Sequence, residues 1–109
     1  MTMDSTQQLA AEFMVLLAAE LKRLGLWSQQ RPSDEALASV QPFCVDTMRF
    51  EQWLQFVFIE KITLMLEQNI PLPAKFGIAA MSEQYFASRA VDATPLTQLL
   101  QALDEALSH

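Results

Sequence analysis

Apolar side chains recur at helical spacing along most of the 109-residue chain. Leu9, Phe13, Leu16, Leu17, Leu21 and Leu24 form one stripe, the three-and-four spacing of a helix that buries a single face. Ser5 and Gln8 have the capping-box arrangement, with Asp4 or Ser5 at the start. Gly25 stands where a helix closes through a left-handed residue, and Leu26 can then fold back on Leu21. These signals predict a helix over 5–24.

The next stretch, 27–46, is less regular. Ser33 can cap a short helix over 35–40, and Pro42 ends it by keeping Gln41 out of helical geometry. A long helix is predicted over 47–68 with Asp46 as its cap. Its apolar residues, among them Phe50, Trp53, Phe56, Phe58, Ile62 and Met65, reach nearly every direction on a helical wheel, which marks a helix surrounded by neighbours. Asn69 and Pro71 close it. An extended connection over 70–76 leads to a shorter helix over 79–89. Thr94 as cap and Pro95 as first residue open the last helix, whose Leu96, Leu99, Leu100, Leu103 and Leu107 make a narrow seam.

Composition agrees. Leu and Ala supply 30 residues against nine for Val and Ile, and there are two glycines. Few β-branched residues and few glycines argue against a sheet with tight hairpins. The expectation is an all-α fold, a compact bundle or array of four or five helices around a central long helix. It is expected to form a single domain over 1–109. Charge adds a constraint on partners. Thirteen acidic and seven basic residues give −6, which disfavours nucleic acid, because phosphate neutralisation supplies most of that affinity. Charged residues are 18% and apolar ones 51%, an excess that suggests some apolar surface meets a partner. No apolar run is long enough to span a membrane. Met1–Asp4 lacks the basic start of a signal peptide. The single Cys44 cannot form an internal disulfide, so a cytoplasmic location is expected.

The middle of the chain resembles the YqcC-like family of small bacterial proteins. The resemblance rests on Gln41-Pro42-Phe43, on Asp46-Thr47-Met48 and on the run from Glu51 to Ile59. It continues through Pro71-Leu72-Pro73 and Ile78-Ala79-Ala80-Met81. It implies a compact helical domain with no characterised activity, encoded in many genomes near a tRNA pseudouridine synthase. The chain departs from the family pattern where Glu60-Lys61 replace an expected proline-arginine and Ala80 an expected proline. The first change predicts a longer, straighter long helix.

Catalytic chemistry has few candidates. The only histidine is the terminal His109, and Cys44 has no internal imidazole to activate it, so a small buried thiol is the expected role. Without a Cys/His cluster no zinc site is expected, and without a glycine-rich loop no nucleotide-phosphate cradle; no cofactor is predicted. Glu20 and Lys61 fall on apolar faces. They either pair across helices or each reach water from the end of a stripe, and the second costs less.

The aromatic group carries the functional expectation. Trp27, Phe43, Phe50, Trp53, Phe56 and Phe58 lie within 32 residues. At 100° per residue Phe50, Trp53 and Val57 lie within about 60° of one another, while Phe56 and Phe58 point away. Phe43, Phe56 and Phe58 are therefore the candidate interaction surface of a non-catalytic module that binds a protein partner or a second copy of itself. The alternatives are a small apolar ligand in a cavity near Trp53, an accessory role in tRNA modification, and an enzyme working through carboxylates such as Glu20 or Asp46.

Overall fold

Helix α1 (Ser5–Arg23) buries Ala10, Phe13, Met14, Leu17 and Leu21. A computed structural model describes residues 5–73 and 77–107 of the chain; Met1, Asp4 and His109, named above, and the last three positions of the connection expected over 70–76 lie outside them. Leu16, expected in the stripe, is 51% exposed, because the buried arc runs through Ala10 and Met14 instead. Gly25 closes the helix at φ 72°. The Leu26 N–H donates to the Leu21 carbonyl at 2.8 Å and the Gly25 N–H to that of Lys22 at 3.1 Å, the paired bonds of a Schellman end. A Cβ added at Gly25 would meet nothing within 4 Å, so only backbone strain opposes it. Gly25→Ala is expected to lower stability by about 1 kcal/mol, as read from a thermal melt; an unchanged melt would refute the assignment.

Ser33 caps α2 (Asp34–Leu37) by accepting the Ala36 N–H at 3.1 Å. The helix is shorter than predicted, and the chain then folds back on itself. A 3₁₀ turn (Pro42–Cys44) places Phe43 at φ 58° and Cys44 at φ 49°, two successive left-handed residues without glycine. The Thr47 hydroxyl donates to the Ala36 carbonyl at 2.8 Å, and the Ser39 hydroxyl to Asp46 at 2.5 Å. Asp46 therefore holds this arm closed and does not cap the long helix. That helix starts three residues later than expected, where the Gln52 side chain accepts the Arg49 N–H at 2.9 Å. Asp46→Ala is expected to shift stability by no more than about 0.5 kcal/mol, the range of ordinary surface changes; denaturant titration checks it.

The long helix consists of α3 (Phe50–Trp53), a π-helical stretch (Leu54–Ile59) and α4 (Glu60–Glu67), joined through residues in right-handed geometry. Glu60 and Lys61 carry it on without a break. Its innermost apolar residues are Phe50, Leu54, Phe58, Ile62 and Leu66, each four positions after the last. In an α-helix such a stripe drifts by about 40° per step. The π stretch bonds i to i+5 and turns less per residue, so it winds the drift back and keeps all five on one face. Asn69 closes the helix at φ 56°, with the Ile70 N–H on the Met65 carbonyl at 2.8 Å.

Helix α5 (Ile78–Phe86) stops three residues short of its predicted end. In α6 (Thr94–Leu107) the seam of Leu96, Leu100, Leu103 and Leu107 is buried. Asp92 accepts the Thr94 N–H at 3.1 Å, so Thr94 is the first helical residue and the capping carboxylate comes from two positions earlier. Helix α1 runs along α4, and α6 docks on α1 and α5. Among the described residues every regular element is helical, and none is long and apolar enough to cross a membrane. The all-α expectation holds.

Candidate functional site

The left-handed turn at Phe43 throws its ring onto the edge of Trp53, with centroids 4.8 Å apart. Phe43 also meets Phe50 at 6.2 Å. Phe50 in turn lies 5.7 Å from Tyr85 and 6.1 Å from Phe86 on α5. Trp53 stacks on Phe58 at 5.6 Å with planes 20° apart, a contact between residues five apart that the π stretch allows. The rings thus form a continuous wall from the arm to α5.

This wall answers the steric question posed by the sequence. Phe58 is 6% exposed and belongs to the core; the wheel misplaced it because it assumed 100° per residue through a π stretch. Phe56 is half-buried, as is Phe43. Of the three candidate anchors, Phe43 and Phe58 lie in the wall and each lines a cleft, and of these two Phe43 is the half-buried one. Gln55, buried on the long helix, clamps the loop after α1. Its carbonyl accepts the Ser28 N–H at 2.8 Å and its amide donates to the Ser28 carbonyl at 2.9 Å.

Two clefts flank the aromatic wall. One, of about 470 Å³, is lined by Phe43, Val45, Met48, Met81 and Tyr85 together with Arg49 and Arg89. The other, of about 440 Å³, is lined by Cys44, Trp53, Val57, Phe58 and Ile62, with Lys61 also on its lining. The cavity expected near Trp53 is this second cleft. The buried Cys44 thiol is free, and among the described residues no three His, Cys, Asp or Glu side chains gather as a metal-ligand set.

The first cleft carries the unusual electrostatics. Glu51, on α3, is 8% exposed. Its Oε1 is buried without a hydrogen-bond partner among the described residues, and its Oε2 lies 3.9 Å from Arg49 Nε. Burial, and then a hydrogen bond to the Glu51 carboxylate, hold the Tyr85 phenol above its usual range. The Arg89 guanidinium lies 3.6 Å over the Tyr85 ring and donates to the Tyr85 carbonyl. Sequence reading missed Glu51, Tyr85 and the two arginines, since their proximity depends on the packing of α3 against α5. The available signal was a glutamate directly after a core phenylalanine at a helix start.

Glu20 and Lys61 do not meet. Arg23 binds Glu20 at 2.6 and 2.8 Å, and Lys61 is exposed. The Arg23 hydrogen bond holds the Glu20 carboxyl below its usual value. A carboxylate depressed in the folded state contributes stability above its unfolded pKa, ~4.3, and loses it as pH falls through the folded value. The stability difference between the native chain and Glu20→Gln is expected to vanish in that acid range; a difference that persists at the lowest pH would refute the pair.

The DUF446 family model, described as tRNA pseudouridine synthase C, matches residues 8–106. An uncharacterized protein of Haemophilus influenzae is 40% identical over 68 residues, covering 62% of this chain and 64% of that protein. Escherichia coli YqcC, also uncharacterized, is 35% identical over 72 residues, 66% of each chain. The solution NMR structure of E. coli YqcC superposes with a TM-score of 0.83 at 28% identity, over 96% of this chain and 90% of that one. The tRNA pseudouridine synthase C of Pectobacterium carotovorum is 38% identical over 53 residues, 49% of this chain but 14% of the synthase. The chain thus matches about two thirds of the length of the two small relatives and a small share of the synthase. The resemblance drawn from residues 41–81 stands.

Proposed function

The chain belongs to the DUF446 family, and from that premise we propose that it is a non-catalytic protein-interaction module of the cytoplasm that works beside a tRNA pseudouridine synthase. The match to a small part of the Pectobacterium synthase carries this reading. A sequence found both in small chains and within a larger enzyme behaves as a portable unit, and a portable unit without its own catalytic constellation serves by contact. The reading is supported by the half-buried Phe43 and the exposed Val40 and Val45 around the arm, at 92% and 57% exposure. Phe56 is a second contact residue on the long helix, while Phe58 backs Trp53 from inside. The lone thiol Cys44 fits a reducing compartment.

The test is to mix the purified chain with tRNA pseudouridine synthase C from the same cell and follow the mixture by size-exclusion chromatography and calorimetry. A shared elution peak with a saturable heat is expected. Separate peaks with no heat would refute the synthase as partner.

The cleft of Cys44, Trp53, Val57 and Phe58 supports a second reading, a small apolar ligand. Its volume of about 440 Å³ lies within the ~300–1,000 Å³ usual for such sites. Native mass spectrometry of the freshly purified chain would show the added mass; a bare chain whose Trp fluorescence ignores added fatty acids and indoles would rule it out.

A further inference from the structure

We propose that the cleft between the 42–49 arm and α5 is a docking groove for a protein segment that carries a carboxylate beside a large apolar side chain. The inference rests on the interaction-module reading and specifies the chemistry of the partner.

Thirteen acidic residues face seven basic ones on this chain, yet no carboxylate is among the residues that line this cleft, while two arginines are. The cleft between α5 and α6, by contrast, is lined by Glu83 and Asp92. The four arginines divide in the same way. Arg23 and Arg31 each hold a carboxylate at close range, Glu20 at 2.6 and 2.8 Å and Glu60 at 2.9 Å twice. Arg49 has Glu51 only at 3.9 Å, and Arg89 rests on the Tyr85 ring and backbone. Both are exposed. A planar guanidinium with free donors matches a carboxylate in bidentate fashion. Two guanidiniums, with the one nearby carboxylate of Glu51 buried, leave the groove positive on a chain of net charge −6.

The floor supplies the apolar half. Phe43, Met48, Met81 and Tyr85 are half-buried, and the cleft holds about 470 Å³, space for side chains rather than for a folded surface. Methionine adapts its shape to varied apolar partners. Phe43 is held in a left-handed conformation that costs backbone energy, and strain of this kind concentrates where a binding surface must be preset. Nucleic acid fits less well, because phosphate binding draws on many cations and the groove offers two.

A phage-displayed random-peptide library panned on the full chain, followed by anisotropy with the fluorescein-labelled consensus peptide, tests the proposal. The selected peptides are expected to place Asp or Glu within a few residues of Phe, Leu or Met. Arg49→Gln and Arg89→Gln should each weaken the consensus peptide about tenfold, with circular dichroism unchanged, and Arg23→Gln should not. No enrichment, selection of basic peptides, indifference to both groove variants, or tighter binding of a labelled RNA oligonucleotide through the same arginines would each overturn it. Acidic-peptide binding without any synthase complex would refute the synthase reading alone. A synthase complex indifferent to both arginine variants would refute the groove alone.

Discussion

Phe58→Ala is expected to lower folding stability by about 3–5 kcal/mol, the usual cost of removing a buried ring. The side chain is 6% exposed and stacks on Trp53, so its loss leaves a void beneath the wall that supports Phe43. Phe56→Ala, at a half-buried position, should cost clearly less. Denaturant unfolding of the two variants gives the comparison directly. Equal and small losses would place Phe58 on the surface and undo the π-helical register described above.

Asp104→Ala is the second large effect expected. From α6 its carboxylate accepts the N–H of Ile78 at 3.2 Å and of Ala79 at 2.9 Å, the first free amides of α5. Gly77, at the head of α5, has no side chain with which to do this. Hydrogen bonds to a charged group and the favourable helix-end position together amount to about 2–3 kcal/mol. The loss should appear as a lower unfolding midpoint. Asp104→Asn, which keeps one acceptor oxygen, should fall between the two. An alanine variant as stable as the native chain would show that water satisfies α5 equally well.

These two residues mark where sequence reading stops. The caps built from neighbours were legible: Gly25 and Asn69 lie within the turn they close, and Ser33 accepts from a residue three ahead. The cap of α5 is supplied from 25 and 26 residues away, and no local pattern announces it. The same holds for Gln55, which bonds Ser28 from 27 residues away. Asp46 had the right chemistry for a cap and the wrong place, because the two left-handed residues before it turn the arm back. The candidate site was half visible. Its aromatic content was evident from the sequence, whereas Arg49, Glu51, Tyr85 and Arg89 converge only once α3 and α5 pack. The error at Phe58 has one cause, a helical wheel of constant pitch.

The π stretch also constrains how such a sequence can change. It keeps Phe50 and Leu66 in one line by absorbing the phase error of a four-residue repeat. Within 54–59 the buried Leu54, Gln55 and Phe58 are held by the core, while the half-buried positions are freer. An exchange at the half-buried Phe56 or Val57 leaves the winding intact. Removal of a single residue there, with return to ordinary pitch, would leave the total turn nearly unchanged, because five residues at about 100° each cover roughly the angle of six that turn less, so Ile62 and Leu66 would keep their inward face. A copy that loses one residue here can therefore keep α3 and α4 on their faces, provided that core side chains equivalent to Leu54 and Phe58 remain.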